Sequence, residues 1–303
     1  MDNIMENVNI NGKIYGFVVD YKNNDQLRNS LNSLTKRIYG FDFEEWYQNG
    51  YWKDGYIPYS IVDGNNIVSN VSVNVIDFLV MGEKRTYIQI GTVMTEKEYR
   101  KKGLNGFLME KVLGNWRGRC DLIYLFANDS VLDFYPKFGF NSAHEYQHSK
   151  EIFSENNSFD FVKLNMSDEE NKNFLFNKVN QSLHFSQISM DNKASLVMFY
   201  CTSFMDQNVY YIKRFDAVVI AEFNESILYI NDIFCEKEVL LNDIILSMTN
   251  KEIKKVVLGF TPKDTASFDA TLLKQEDTTL FILDDRCGIF DNKKIMFPIL
   301  SHA

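Results

Sequence analysis

Apolar residues in the first 165 positions recur at two spacings, and the switches between them predict the elements. Lys13 to Tyr21 alternates enough for a strand. Asn23-Asn24-Asp25 is a helix-start signal, after which Leu27, Leu31, Leu34 and Ile38 repeat at helical spacing. Phe43 to Gln48 predicts a short second helix. Two strand-like runs flank Asp63-Gly64-Asn65-Asn66, which reads as a hairpin turn. In the next strand Val71, Val73 and Val75 share one face, with Asn70, Ser72 and Asn74 on the other. Met81-Gly82-Glu83-Lys84 turns the chain back into a strand from Tyr87 to Met94. A helix with the stripe Leu104, Phe107, Leu108, Val112 and Trp116 follows, then a strand from Leu122 to Ala127, a further helix, and a last strand at Phe161-Val162-Lys163-Leu164.

Between Glu151 and Asp168 the composition shifts to Ser, Asn, Asp and Glu, which predicts a boundary and two domains, 1–165 and 166–303. The second half predicts helices over Asp168 to Asn180 and Met190 to Phe204. Strands are predicted at Val209 to Arg214, Ala217 to Phe223 and Ile227 to Phe234, then a helix at Val239 to Met248 and a strand at Lys255 to Phe260. This strand–helix–strand order repeats that of Tyr87 to Ala127, so a degenerate tandem copy is one reading of the smaller second domain. The fold class expected is α/β, of mixed α+β order.

A chain of 303 residues suits two domains of ordinary size. At 45% hydrophobic and 24% charged residues, a packed core is expected. The net charge of −9 disfavours nucleic acid as a partner, because phosphate contacts need a basic surface. Cys120, Cys201, Cys235 and Cys287 are scattered with no CxxC pair, as for reduced thiols in a cytoplasmic protein. Met1 to Asn11 is polar, unlike a signal peptide, and no apolar run approaches the ~18 residues of a membrane span.

The candidate chemistry lies between Tyr87 and Phe140. After the strand comes Arg100-Lys101-Lys102-Gly103-Leu104-Asn105-Gly106, a basic, glycine-containing turn leading into a helix. Such a turn can present backbone N–H groups to a pyrophosphate. Positive charge at a helix start is unfavourable unless an anion offsets it, which argues against a merely solvated surface. Farther on stands Phe134-Tyr135-Pro136-Lys137-Phe138-Gly139-Phe140. The order and spacing of these two segments resemble the GNAT family of acyl-CoA-dependent N-acyltransferases. The resemblance covers about half the chain.

That resemblance implies a GNAT fold for the first half and acetyl-CoA as cosubstrate, without a metal. Arg100, Gly103 and Asn105 stand at the family's Arg-x-x-Gly-x-Gly/Ala positions; Asn105 departs from it, with Gly106 directly after. The implied cofactor contacts are Val93, Met94 and Thr95, whose backbone pairs with the pantetheine arm, then Arg100, Lys101, Lys102, Gly103, Leu104, Asn105 and Gly106, and Asn128. The implied catalytic residue is Tyr135, as the acid that protonates the departing thiolate. The implied reaction is transfer of acetyl to a small-molecule or peptide amine by direct attack in a ternary complex.

No general base is legible: the strand from Tyr87 to Met94 carries no carboxylate. The apolar tail Ile295 to Leu300 is expected to be a last edge strand. Were it instead docked inside, the carboxylate of Ala303 or His302 would become a candidate. Without a base, a non-enzymatic acyl-CoA-binding protein is the first rival. The second is a zinc hydrolase, since His144-Glu145-Tyr146-Gln147-His148 matches HExxH. Zinc needs both histidines one helical turn apart, and a strand is expected here, with the two ~13 Å apart at about 3.3 Å per residue.

Overall fold

The structure is a computed structural model that describes residues 5–155, 158–191, 194–286 and 288–302. Cys287 and Ala303, both singled out from the sequence, lie outside the described residues. Two mixed sheets pack around a shared core. The first runs in the order β1 (Glu6–Ile10), β2 (Lys13–Val19), β3 (Tyr56–Asp63), β4 (Asn66–Val80), β5 (Glu83–Thr95), β6 (Leu122–Ala127), β16 (Thr279–Leu283) and β7 (Asn141–Ser142), with β10 (Ile188–Met190) also pairing β4. The second runs β15 (Asp269–Leu272), β8 (Tyr146–Glu151), β14 (Lys255–Leu258), β13 (Ile227–Phe234), β12 (Ala217–Asn224), β11 (Val209–Ile212) and β9 (Val162–Lys163).

Helices α1 (Asp25–Tyr39), α2 (Glu44–Gln48) and α3 (Leu104–Trp116) belong to the first half, and α4 (Glu169–Gln181), α5 (Ala194–Ser203), α6 (Leu241–Ser247) and α7 (Ile289–Asn292) to the second. Asn24 caps α1 by accepting the Leu27 N–H at 3.1 Å, which fixes the start that the sequence marks. Asp168 caps α4 in the same way, accepting the Glu170 N–H at 2.8 Å. Leu104, Leu108 and Val112 bury the inner stripe of α3 against the first sheet.

Four expectations meet a different structure. After β6 there is no α-helix, only two short 3₁₀ turns at Asp129–Val131 and Tyr135–Phe138, ended by Gly139 at φ +92°. Pro136 lacks an N–H and sits in the second of these turns, and Gly139 closes it. The chain crosses between the sheets repeatedly, so sheet membership does not divide at residue 165. Val162–Lys163, expected to close the first domain, pairs with β11 in the second sheet, while β10 and β16 return to the first. Met190, expected to open a helix, lies on β10 opposite Phe78.

The apolar tail is the fourth difference. It forms no strand; Ile295, Met296, Phe297 and Leu300 are buried in the core between the sheets. The Phe297 ring stacks on Tyr124 of β6 with centroids 4.0 Å apart, and the Tyr124 hydroxyl donates to the Ser301 carbonyl at 3.1 Å. The Phe297 N–H donates to Oε1 of Glu145 at 2.8 Å. Edge pairing offers one apolar face, whereas this segment is apolar on nearly every side chain and gains more by full burial.

Candidate active site

β5 and β6 are parallel and share four paired positions, from Tyr87 opposite Leu122 to Ile90 opposite Leu125. Each is then held by its other neighbour. β5 stays on β4, with Met94 opposite Asn70, while β6 stays on β16, with Ala127 opposite Thr279. The two strands therefore fork. A register shift in the β4–β5 ladder between Asn70 and Ser72, with Thr92 at φ +49°, turns the β5 arm further. The Asn70 amide donates to the Thr92 carbonyl at 2.9 Å and holds this bulge.

A cavity of about 560 Å³ opens in the fork. Gly91, Thr92 and Val93 line one arm, Phe126 and Asn128 the other, and Asn105 and Tyr135 close it from the helix and turn sides. At its upper end α3 begins after Gly103, whose φ is +83° and which offers no side chain to cap the first turn. The first-turn N–H groups of Leu104, Asn105 and Gly106 are thus left for a ligand, with the helix dipole favouring an anion. A Cβ on Gly103 would stand 2.9 Å from the Asn11 amide nitrogen, which itself donates to the Lys102 carbonyl at 3.0 Å. Gly103 is needed for both its conformation and that contact. At Gly106 an added Cβ meets nothing within 4 Å, so only a ligand could require glycine there.

Apart from Thr95 and Gly106, which do not line the cavity, the sequence-predicted residues fall into three groups. Val93, Asn105, Asn128 and Tyr135 line the cavity. Arg100, Lys101, Lys102 and Gly103 form the loop above it, with Arg100 exposed and its Nε donating to the Thr95 carbonyl at 3.3 Å. Met94 and Leu104 bury their side chains in the core, leaving only their backbone to contribute. Several groups are already engaged. Asn105 Oδ1 accepts from Ser69 Oγ at 2.6 Å and Thr95 Oγ1 at 2.7 Å, which pins the helix start to the β5 arm. Asn128 donates its amide to Asp277 at 2.9 Å, so its carbonyl oxygen is what remains for a ligand. The Val93 carbonyl accepts the Tyr39 hydroxyl at 2.8 Å.

Tyr135 is buried beside Phe134, Phe140 and Phe281, and desolvation pushes its pKa well above the usual phenol value. Its hydroxyl is protonated at neutral pH and has no hydrogen-bond partner among the described residues. Residues unmarked by any motif also line the cavity, notably Tyr39, Phe41 and Phe126. Tyr39 ends α1 and Phe41 follows in the turn to α2, and no local pattern connects them to the fork. His302 stacks on Phe126 with centroids 3.8 Å apart, so the tail forms the far side of the cavity's inner wall. Among the described lining residues the single carboxylate is Asp133, which is exposed.

HExxH takes no helical form. His148 lies on β8 opposite Leu258 and Ala270, and burial lowers its pKa. His144, expected on that strand, precedes it in an irregular segment. Among the described residues no group of three metal-ligating side chains comes together. No described helix is long and apolar enough to cross a membrane.

A mixed sheet whose parallel central strands fork beneath a glycine-started helix is the architecture of the GNAT acyltransferases. Residues 26–143 match the family model described as "Acetyltransferase (GNAT) domain". Residues 26–143 are therefore similar to the GNAT acetyltransferases, a class that transfers acyl groups from acyl-CoA to small-molecule or peptide amines. A search of curated proteins by sequence found no match. Among solved structures, a probable N-acyltransferase from Enterococcus faecalis V583 superposes with a TM-score of 0.55 at 12% identity, over 86% of this chain and 72% of that one. A GCN5-related N-acetyltransferase from Kribbella flavida gives 0.54 at 15%, over 91% and 73%. Another from Anabaena variabilis gives 0.51 at 16%, over 88% and 72%. At these identities the likeness is one of fold, and it extends across both halves.

Proposed function

We infer that this chain transfers acetyl from acetyl-CoA to a primary amine by direct attack in a ternary complex. The observation that carries the reading is the convergence of an uncapped helix start, an open strand arm and a protonated tyrosine on one cavity. The N–H groups at the start of α3, with Arg100, suit a pyrophosphate. The edge of β5 beyond Ile90, which no strand pairs among the described residues although the Val93 carbonyl accepts the Tyr39 hydroxyl, suits the amides of a pantetheine arm, added like a strand. Acetyl-CoA would supply the activated thioester. The protein's share is to hold the two reactants together and to donate a proton from Tyr135 to the leaving sulfur.

The amine must also lose a proton. Burial pushes His302 down to about 3, too weak a base to hold an ammonium's proton. Ala303 lies outside the described residues. Ordered water is then the acceptor proposed. The lack of a carboxylate facing the cavity from β5 also favours a second reading, an acyl-CoA-binding protein without turnover. Incubation with acetyl-CoA and a broad amine panel, with release of free thiol followed, separates the two. Thiol release dependent on an amine supports the transferase. Tight coenzyme A binding with no release from any amine supports the binding protein.

A further inference from the structure

We propose that the second half carries its own ligand site, for an amphipathic anion with a phosphate or carboxylate head and an apolar body, in the cavity at the mouth of the β13–β14 fork. The fork repeats that of the first half: β13 and β14 are parallel and share four paired positions, Ile227 with Lys255 to Ile230 with Leu258. The crossover between them is again a helix, α6. A cavity of about 750 Å³ lies outside this fork, bounded by the segment leading into α6 and the segment following β14. Like the acyl cavity, it is lined by the first turn of the crossover helix, through Leu241 and Asn242.

Its lining supplies the chemistry. Lys150 from β8, Lys237 from before α6 and Lys263 from after β14 converge from three separate elements. Among the described residues none of the three forms an ion pair. Lys150 is half-buried; its Nζ donates to Asn242 Oδ1 at 2.7 Å and lies 4.9 Å from the Phe268 ring centroid. Glu238 and Asp264 also line the cavity, and the Asp264 carboxylate accepts the Ala266 N–H at 2.9 Å. Desolvation lowers the pKa of Lys150, a cost that an arriving anion would offset. The apolar half of the site is Leu240 and Phe268, Leu240 being 71% exposed. A large apolar side chain that open to water beside unpaired lysines suits a ligand with both characters.

Coenzyme A in the pose of the first half does not fit here. The fork is closed at its root: the Gly259 N–H donates to the Ile230 carbonyl at 2.7 Å, and the Ile299 N–H of the tail to the Gly259 carbonyl at 2.8 Å. Among the described residues these two bonds take the backbone of β14 past Leu258, so the ligand stays in the outer cavity.

The test is calorimetric titration of the full chain, saturated beforehand with coenzyme A, with octyl phosphate, octanoate and octylammonium. One equivalent of either anion should bind, the tighter one naming the head group, and octylammonium should not. Lys150→Ala should weaken anion binding tenfold or more. Lys263→Glu, at an exposed position that leaves the core untouched, should do so as well. Absence of heat from both anions overturns the proposal. So does equal binding of octylammonium, or affinity unchanged in Lys263→Glu. Because coenzyme A is present throughout, failure here leaves the reading of the first cavity standing.

Discussion

Four residue pairs join β5 to β6 before those strands part, and four join β13 to β14 before theirs do. Beyond the last pair the two halves diverge. In the first, a bulge at Thr92 and the Ser69–Thr95–Asn105 cluster hold the β5 arm away, and the helix opens on Gly103. In the second, Gly259 prolongs the strand contact by one more hydrogen bond, and the tail fills what is left. The fold alone therefore does not make an acyl-CoA cleft. A few residues past the last pair decide between an open cavity and a packed seam.

The tail is the largest lever on this contrast. Phe297 is fully buried against Tyr124, Tyr87 and Phe78. Phe297→Ala should cost about 3–5 kcal/mol of stability, read by chemical denaturation, since an aromatic cavity at a two-sheet interface collapses poorly. A loss under about 1 kcal/mol would mean that the tail is not packed in the core between the sheets.

Tyr135→Phe tests the first fork alone. Turnover should fall about 10²-fold or more, with melting temperature and coenzyme A affinity nearly unchanged. A large stability loss with normal turnover would place Tyr135 in the core only.

Two glycine substitutions sharpen the comparison directly. At Gly259 an added Cβ would stand 2.9 Å from the Asn231 Cα, so Gly259→Ala should destabilise by about 1–3 kcal/mol and leave coenzyme A affinity intact. At Gly106 the space is empty, so Gly106→Ala should stabilise the free protein by up to about 1 kcal/mol and weaken coenzyme A binding. Denaturation and calorimetry on both variants would reveal a reversed pattern, which would break the assignment of open and closed forks.

Glu145 shows itself in pH dependence. Burial pushes its carboxyl up to about 8, against 4.5 for an ordinary glutamate. The folded chain then holds a proton that the unfolded chain releases between those values, so stability falls as pH rises from 4.5 to 8. Glu145→Gln keeps an oxygen for the Phe297 N–H and removes the titration. Its melting temperature should fall less than the parent's from pH 5 to 8; parallel curves would show Glu145 ionised in place.

The sequence displays the first fork well because its features are local. Asn24 beside Asp25, the Asp63–Asn66 turn and the glycine at the start of α3 each act within a few residues. Tyr39 and Phe41 are beyond reach of such reading, since tertiary packing alone brings them to the cavity; His302 is a sequence candidate only if the tail docks inside, and packing decides that. The same holds for Asp277, 149 residues from the Asn128 amide it accepts. The composition of the tail specifies burial without specifying form, and the segment takes no strand. The interleaving of the sheets was hidden for the same reason: β8 and β16 find partners more than 100 residues away.

On the proposed function, one fork binds coenzyme A and the other does not. Titration calorimetry of the whole chain with coenzyme A should show one equivalent per chain. Arg100→Ala should weaken that binding by about 1–3 kcal/mol, as expected for loss of a charge-assisted phosphate contact. Two equivalents per chain, or an affinity that Arg100→Ala leaves unchanged, would contradict it.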